Sequence, residues 1–88
     1  MKYSVYILRS NKDHKLYIGC TEDLERRFGE HNSGKVIATV NRRPLEIIFY
    51  ETFINKSDAF AREQWFKTGF GFNHIRKMLT KTLESFEG

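Results

Sequence analysis

Three short hydrophobic stretches along the chain predict β-strands. Residues 3–8 are rich in β-branched and aromatic side chains, as is typical of a buried strand. The polar segment 10–14 separates them from a second stretch at 15–19, and the two together predict an antiparallel hairpin. The third stretch, residues 45–51, is the most hydrophobic segment of the chain and predicts a third strand.

Capping residues and helical periodicity predict three helices. Thr21 is the predicted N-cap of the first helix, which runs to about Asn32. Ser57 is the predicted N-cap of the second helix, which extends through Lys67. The last helix is expected to follow Gly71, because positions spaced i, i+3, i+4, i+7 and i+8 form one stripe: Ile75, Met78, Leu79, Thr82 and Leu83.

The order of these elements predicts the fold class. A ββαβαα chain that begins with a hairpin indicates an α+β domain, with a three-stranded, mainly antiparallel sheet flanked by helices. Its 88 residues have room for one domain, residues 1–88, with a core at about 2–83. An aromatic content of 15% excludes a disordered chain.

The same composition indicates the compartment. No apolar run approaches the roughly 20 residues that cross a bilayer, and no signal peptide is recognisable. The one cysteine, Cys20, has no partner for an internal disulfide. We therefore expect a cytoplasmic protein that makes no membrane contact, with a monomer as the default state.

Positive charge is concentrated in one part of the chain. Segment 26–43 carries a net charge of +4, equal to that of the whole protein. It overlaps segment 34–44, which lacks clear periodicity and predicts a basic loop. Such a patch is typical of proteins that bind a polyanion, although a solvated face on a mildly basic protein is the alternative. The candidate nucleic-acid contacts are Arg26, Lys35, Arg42 and Arg43.

Two tyrosines and two helical residues are candidates for chemistry. Strand alternation and the hairpin register bring Tyr6 and Tyr17 to the same side of the sheet. At about 100° per residue, Arg27 and His31 share the stripe of Leu24 that packs against the sheet. An inward guanidinium needs a buried anion or a water-filled cleft. The alternative is that Arg27 lies at the edge of the stripe and reaches solvent.

Glu63 lies within the apolar arc of the second predicted helix. A carboxylate there is costly unless it is paired or binds a cation, so a structural ion pair, for example with Arg27, and a metal site are equally supported. Arginine can stabilise charge on a phosphate, tyrosine or histidine can accept a proton from water, and a lone carboxylate can hold Mg²⁺. The whole set is therefore typical of phosphoryl transfer: Tyr6, Tyr17, Arg27, His31 and Glu63.

These residues and their order resemble the GIY-YIG endonuclease superfamily, and more narrowly the small stand-alone bacterial proteins of the UPF0213 type. Ser4-Val5-Tyr6 is similar to the first signature and Tyr17-Ile18-Gly19 to the second. Segment 23–32 is similar to the helix that carries the family's arginine, here Arg27. Segment 59–67 is similar to the helix that carries its glutamate, here Glu63. The resemblance covers nearly the whole chain.

The resemblance implies a metal-dependent endonuclease that hydrolyses DNA phosphodiester bonds, including structure-directed cleavage in DNA repair or processing. It implies that Tyr6 activates the water, with Tyr17 and His31 assisting. Arg27 would neutralise the attacked phosphate, and Glu63 would bind one Mg²⁺ or Mn²⁺ ion.

The sequence also departs from the family pattern. Ser4 replaces the glycine of the first signature, and the lysine that repair-type members carry after the second signature is absent. Asn73 is the candidate for the late active-site asparagine of some restriction-type members. No additional DNA-reading domain is recognisable, so the protein is expected to be unselective, directed by DNA structure or dependent on a partner protein.

A non-catalytic nucleic-acid-binding module with this fold is the alternative function. The inward carboxylate of Glu63 favours the endonuclease over the binding module, because a negative charge beside a phosphate weakens binding unless a metal intervenes. No residue excludes RNA as a partner.

Overall fold

The computed structural model describes residues 2–87 and confirms the predicted α+β class. The predicted domain boundaries, residues 1 and 88, lie outside the described residues. One antiparallel sheet in the order β2-β1-β3 is formed by β1 (Tyr3–Ser10), β2 (Leu16–Thr21) and β3 (Leu45–Phe53). The helices are α1 (Leu24–Asn32), α2 (Lys56–Phe66), α3 (Gly69–Met78) and α4 (Thr80–Glu84). Within residues 2–87, none of these helices is long and apolar enough to span a membrane.

The central strand β1 supplies a buried face to each side of the sheet. Val5 and Ile7 point to one side, where they pack with Ala59 and Phe66 of α2 and with Ile75 of α3. The intervening residues of the strand point to the other side, where α1 covers them. That second cluster contains Tyr6, Leu8 and Leu45, with Leu24 and Phe28 of α1 packed against it.

The first helix has a different N-cap from the predicted Thr21. The side chain of Asp23 accepts a hydrogen bond from the Arg26 backbone N–H and caps α1. Thr21 is still the last residue of β2, paired with Ser4, so it lies too early in the chain to cap the helix. Its hydroxyl instead accepts a bond from the Asp23 N–H at 3.1 Å.

The second helix begins earlier than predicted, whereas the first begins later. Asn55, not Ser57, is its N-cap, because the Asn55 side-chain oxygen accepts bonds from the N–H groups of Ser57 and Asp58 at 2.8 and 3.3 Å. Strand β3 runs two residues further than predicted, to Phe53, so the chain turns directly into α2. The helix ends at Phe66, and Lys67 is its C-cap.

The predicted last helix is two helices, and it starts before Gly71. Thr68 caps α3 by accepting a bond from the Gly71 N–H, so helical structure begins at Gly69. Gly71 packs closely against α2, where an added Cβ would lie 2.7 Å from the Phe66 Cα. The stripe predicted to be continuous is interrupted at Leu79, whose φ of −108° and ψ of 25° end α3 before α4 begins.

The basic loop, residues 34–44, is anchored at both ends although it contains only a 3₁₀ turn, Val40–Arg42. At its flanks, the Asn32 side chain donates to the Leu45 carbonyl and accepts from the Leu45 N–H, at 2.9 and 2.8 Å. Inside it, the Arg42 carbonyl accepts a bond from the Ser10 hydroxyl at 2.6 Å. The loop therefore has a defined position beside the sheet.

Candidate active site

Tyr6 and Tyr17 lie on the same face of the sheet, as the alternation predicts. The register pairs Tyr6 with Gly19 and Tyr17 with Leu8, and the two tyrosine ring centroids are 6.4 Å apart. His31 of α1 packs edge-on against both rings, with centroids 5.7 Å from Tyr6 and 5.0 Å from Tyr17. The two signature tyrosines and the histidine therefore form one aromatic cluster.

Gly19 makes room for the Tyr6 ring. A Cβ at position 19 would lie 2.5 Å from the Tyr6 Cζ and 2.9 Å from its Cε1. Any larger residue would push the phenol away from its present position. The glycine of the second signature is thus a packing requirement for the tyrosine of the first.

A buried chain of hydrogen bonds extends from Tyr6 through His31. The Tyr6 hydroxyl is 2.9 Å from His31 Nε2, and His31 Nδ1 is 2.7 Å from Thr39 Oγ1. Tyr6 is 1% exposed, and His31 and Thr39 are 0% exposed. Thr39 was not predicted as a site residue, because it lies in a loop without periodicity and threonine has no charge to make it conspicuous.

Burial sets the protonation states of Tyr6 and His31. It raises the pKa of Tyr6 from 10.0 to about 12, with the nearby Tyr17 adding to the increase and an interaction with the Arg27 guanidinium opposing it. Burial also lowers the pKa of His31 from 6.5, and the positive charge of Arg27 lowers it further. At neutral pH, Tyr6 is therefore protonated and His31 is uncharged.

The Arg27 side chain reaches solvent and also interacts with the buried site, so each of its two predicted positions is partly right. Its side chain is 37% exposed and makes an ion pair with Glu30 at 3.0 Å, so it reaches solvent at the edge of the helix stripe. It also interacts with the Tyr6 hydroxyl, which raises the pKa of Arg27 after the larger contribution from Glu30. The guanidinium thus lies between the buried phenol and solvent, where an anion could approach.

Glu63 is ion-paired, which is one of its two predicted alternatives, but its partner is Lys67 and not Arg27. Its carboxylate is 3.2 Å from Lys67 Nζ on the same helix, because a residue four positions away lies on the same helix face. The Glu63 side chain is only 12% exposed. Its negative charge contributes to raising the pKa values of Tyr6 and Cys20.

The donor set around Glu63 decides what kind of metal site it could form. Among residues 2–87, no group of three or more His, Cys, Asp and Glu side chains is arranged to hold an ion. Mg²⁺ is commonly held by one or two carboxylates together with waters and substrate phosphates. The single carboxylate of Glu63 fits that mode of binding, and it does not fit a site built from protein ligands alone.

The candidate nucleic-acid contacts differ in how free their charges are. Arg42 is half-buried and donates to Asp13 Oδ2 at 3.0 Å and to the Leu16 carbonyl at 3.3 Å. Arg26, Lys35 and Arg43 are exposed. Of these, Arg26 makes ion pairs with Asp23 and Glu30. Arg43 Nε donates a hydrogen bond to the Val40 carbonyl.

Asn73 lies apart from this cluster. It is exposed on α3. Within the described part of the chain it makes no hydrogen bond with the tyrosines, Arg27, His31 or Glu63. Its predicted role stays a prediction.

Comparison with known proteins places this geometry in a family. The family model for the GIY-YIG catalytic domain matches residues 2–76. A UPF0213 protein of Lactiplantibacillus plantarum is 44% identical over 69 residues, which are 75% of this chain and 67% of that protein. The UPF0213 protein YsiG of Lactococcus lactis is 45% identical over 67 residues, 75% of this chain and 64% of that one.

Two further relatives extend this comparison. A UPF0213 protein of Staphylococcus haemolyticus is 43% identical over 68 residues, 76% of this chain and 82% of its own length. The solution NMR structure of a UPF0213 protein of Bacillus halodurans is 31% identical, with a TM-score of 0.49 over 100% of this chain and 87% of that one. The matches thus span about two thirds of the first two relatives and more of the other two.

Proposed function

The chain belongs to the GIY-YIG domain family, and from that premise we propose that it is a divalent-metal-dependent endonuclease that hydrolyses DNA phosphodiester bonds. The observation that carries the proposal is the buried Tyr6–His31 hydrogen bond, with Arg27 between the phenol and solvent. Structure-directed cleavage in DNA repair or processing is part of the proposal, with DNA structure or a partner protein supplying specificity.

Proton transfer through Tyr6 would activate the attacking water. Tyr6 is protonated at neutral pH, so it can accept a proton only if it gives up its own. His31 Nε2, 2.9 Å from the Tyr6 hydroxyl, receives that proton because the imidazole is uncharged. The attacking water gives one proton to the Tyr6 oxygen while the water oxygen forms a bond to phosphorus. The bond from phosphorus to the leaving sugar oxygen breaks, the leaving oxygen takes up a proton from solvent, and His31 returns its proton to solvent.

Arg27 and Tyr17 would assist this transfer in different ways. The Arg27 guanidinium is held by Glu30 at the solvent edge of the cluster, where it can pair with the attacked phosphate and stabilise its developing charge. The Tyr17 ring packs against both His31 and Tyr6 and restricts their orientation. Positioning of this kind is a large part of catalysis in phosphoryl transfer.

Glu63 would hold one Mg²⁺ or Mn²⁺ ion. When bound, the ion would supply positive charge that neutralises the phosphate and the leaving oxygen. Lys67 Nζ contacts Oε2 of the same carboxylate at 3.2 Å, so its positive charge opposes an ion bound there. The Glu63–Lys67 ion pair thus competes electrostatically with metal binding.

The exposed cations next to the cluster would contact the nucleic-acid backbone. Arg26 belongs to the same helix as Arg27, and Lys35 and Arg43 belong to the basic loop that follows it. Backbone contacts of this kind position a duplex without reading its sequence. They apply to RNA as well as to DNA.

A cleavage assay on plasmid and branched DNA tests the proposal. Wild type, Glu63→Ala and the exposed control Glu46→Ala are compared with Mg²⁺, with Mn²⁺ and with EDTA. We expect metal-dependent cutting by wild type and the control, and none by Glu63→Ala. DNA binding by Glu63→Ala should be equal or tighter, because the variant loses a negative charge near the phosphate. Cutting in EDTA, or by Glu63→Ala, would contradict the proposal.

The second candidate is a nucleic-acid-binding module without turnover. The observation in its favour is the Glu63–Lys67 ion pair, which satisfies the inward carboxylate without a metal. The same assay separates the two functions. Salt-sensitive binding by wild type with no cutting of any substrate in either metal would favour the binding module.

A further inference from the structure

Thr39 contacts the site from outside the elements that carry it. It lies in the basic loop, yet its side chain is 0% exposed while its neighbours Ile37, Ala38 and Asn41 are exposed. Its hydroxyl oxygen is 2.7 Å from His31 Nδ1, a short hydrogen bond. The buried Thr39 hydroxyl is therefore hydrogen-bonded to the one ring nitrogen of His31 that does not face Tyr6.

The proposed proton transfer sets the direction of the hydrogen bonds from Tyr6 through His31 to Thr39. It requires the Tyr6 hydroxyl, 2.9 Å from His31 Nε2, to donate its proton to the imidazole. The Tyr6 proton is then directed at His31 Nε2, which must carry a lone pair. Because a neutral imidazole has one N–H group, that group is at Nδ1 and donates to Thr39 Oγ1.

We propose that Thr39 is a positioning residue that fixes the Nδ1–H tautomer of His31 and thereby keeps the Nε2 lone pair on the Tyr6 hydroxyl. Without the Thr39 oxygen, a proton on Nδ1 has no acceptor in the buried site, and the imidazole is favoured to turn or to protonate Nε2 instead. Nε2 could then not accept the Tyr6 proton. The catalytic consequence depends on the proposed endonuclease activity, whereas the tautomer is a property of the free protein.

The charged and titratable groups that face His31 come from three elements. They are Tyr6 of β1, Tyr17 of β2, and Arg27 and Glu30 of α1. Thr39, from the loop, adds no charge. Replacing its hydroxyl with a methyl group therefore removes the hydrogen bond and leaves the formal charges around His31 unchanged.

Long-range ¹H–¹⁵N NMR of the His31 ring tests the tautomer directly. Wild type should show Nδ1 protonated and Nε2 unprotonated at pH 7.5. Thr39→Val should lose this single tautomer, and Thr39→Ser, which keeps the hydroxyl, should retain it. The control Thr52→Val changes an exposed threonine of β3 and should leave the ring signals unchanged. A protonated Nε2 in wild type, or an unaltered tautomer in Thr39→Val, would overturn the proposal.

Cleavage kinetics on the same variants test the consequence. Thr39→Val should lower kcat about 10- to 100-fold with little change in KM, as is usual when a group that orients a functional histidine is lost. Thr39→Ser should recover most of that loss. Unchanged kcat in a Thr39→Val protein with an altered tautomer would show that the tautomer does not matter for turnover, and would overturn the positioning role.

The two arms separate this proposal from the proposed function. If wild type does not cleave, the endonuclease proposal fails while the NMR result still decides the role of Thr39. If Thr39→Val does not fold, Thr39→Ala removes the hydroxyl with less bulk, and the wild-type tautomer alone remains decisive.

Discussion

At the scale of single residues, the buried phenol of Tyr6 makes the protein sensitive to alkaline pH. The pKa of Tyr6 is about 12 in the folded protein and 10.0 without the fold, so the folded state holds the proton more tightly. Its contribution to the free energy of unfolding is fully present below pH 10 and is lost as the pH rises from 10 to 12. The loss amounts to about 3 kcal/mol, since each unit of pKa difference corresponds to about 1.4 kcal/mol.

Urea unfolding of wild type and Tyr6→Phe between pH 9 and pH 12 isolates this contribution from other titrating groups. At pH 9, Tyr6→Phe should be less stable by about 1–3 kcal/mol, because His31 Nε2 loses its donor in a buried site. The difference should shrink as the pH approaches 12, because only wild type carries the buried phenol. Stability curves that stay parallel over this range would contradict the prediction.

Gly19 and Gly29 provide a matched pair of glycine-to-alanine variants at the same scale. Gly19→Ala places a methyl group on the Tyr6 ring and should lower the free energy of unfolding by about 1–3 kcal/mol while also reducing cleavage. Gly29 lies in α1 with nothing within 4 Å of an added Cβ. Gly29→Ala should therefore stabilise the protein by about 0.5–1 kcal/mol and leave cleavage unchanged. Urea denaturation and plasmid cutting measure both effects, and equal behaviour of the two variants would contradict the packing role of Gly19.

At the scale of elements, the start of α2 distinguishes two candidate caps. Asn55→Ala removes the acceptor of two backbone N–H groups and should cost about 1 kcal/mol of unfolding free energy. Ser57→Ala changes a residue inside the first turn and should shift stability by less than about 0.5 kcal/mol. Urea midpoints of the two variants decide between them, and the opposite ranking would restore Ser57 as the cap.

Hydrophobic pattern was sufficient to predict the sheet and the element order, but not the details of the helix ends. Alternation and apolar runs reflect burial against the whole sheet, so they place strands reliably. A cap depends on where the preceding strand stops, and the sequence around Asn55 or Asp23 offers several polar residues within three positions. The break at Leu79 has no sequence signal, because the helical spacing continues across it.

The candidate site was predictable to the extent that its residues are chemically conspicuous. An arginine, a histidine and a glutamate on otherwise apolar stripes stand out, since burying them needs an explanation. Thr39 did not stand out, because a threonine in a loop is ordinary until a fold buries it. The partner of Glu63 was not predicted either, although Lys67 lies four positions further along the same helix, a spacing that places the two side chains on one face.

At the scale of the whole molecule, the site depends on helices from both faces of the sheet. Helix α1, which carries Arg27 and His31, packs on the side of Tyr6, whereas α2, which carries Glu63, packs on the side of Val5. The central strand β1 lies between the two helices and contributes side chains to the cluster on each face. The proposed chemistry therefore requires the complete fold, and no single hairpin or helix pair contains it.

Charge distribution over the whole molecule predicts how nucleic acid binding depends on salt. Each backbone phosphate neutralised by a cation contributes about 0.9 to the slope of log K against log salt for duplex DNA. Lys35 and Arg43 are exposed in the basic loop and free to make such contacts. Arg42, although adjacent in sequence, is held by Asp13 and the Leu16 carbonyl. The neighbouring arginines are thus expected to have different roles.

Fluorescence titrations of labelled duplex DNA at several salt concentrations separate these roles. Lys35→Gln and Arg43→Gln should each weaken binding and reduce the slope by up to about 1, with little change in stability. Arg42→Gln should leave the slope nearly unchanged and lower the free energy of unfolding, because it breaks the link between the hairpin turn and the loop. A slope reduced by about 1 in Arg42→Gln would place that side chain on the phosphate backbone. An unchanged slope in both other variants would mean that the loop, despite its charge, does not face the nucleic acid.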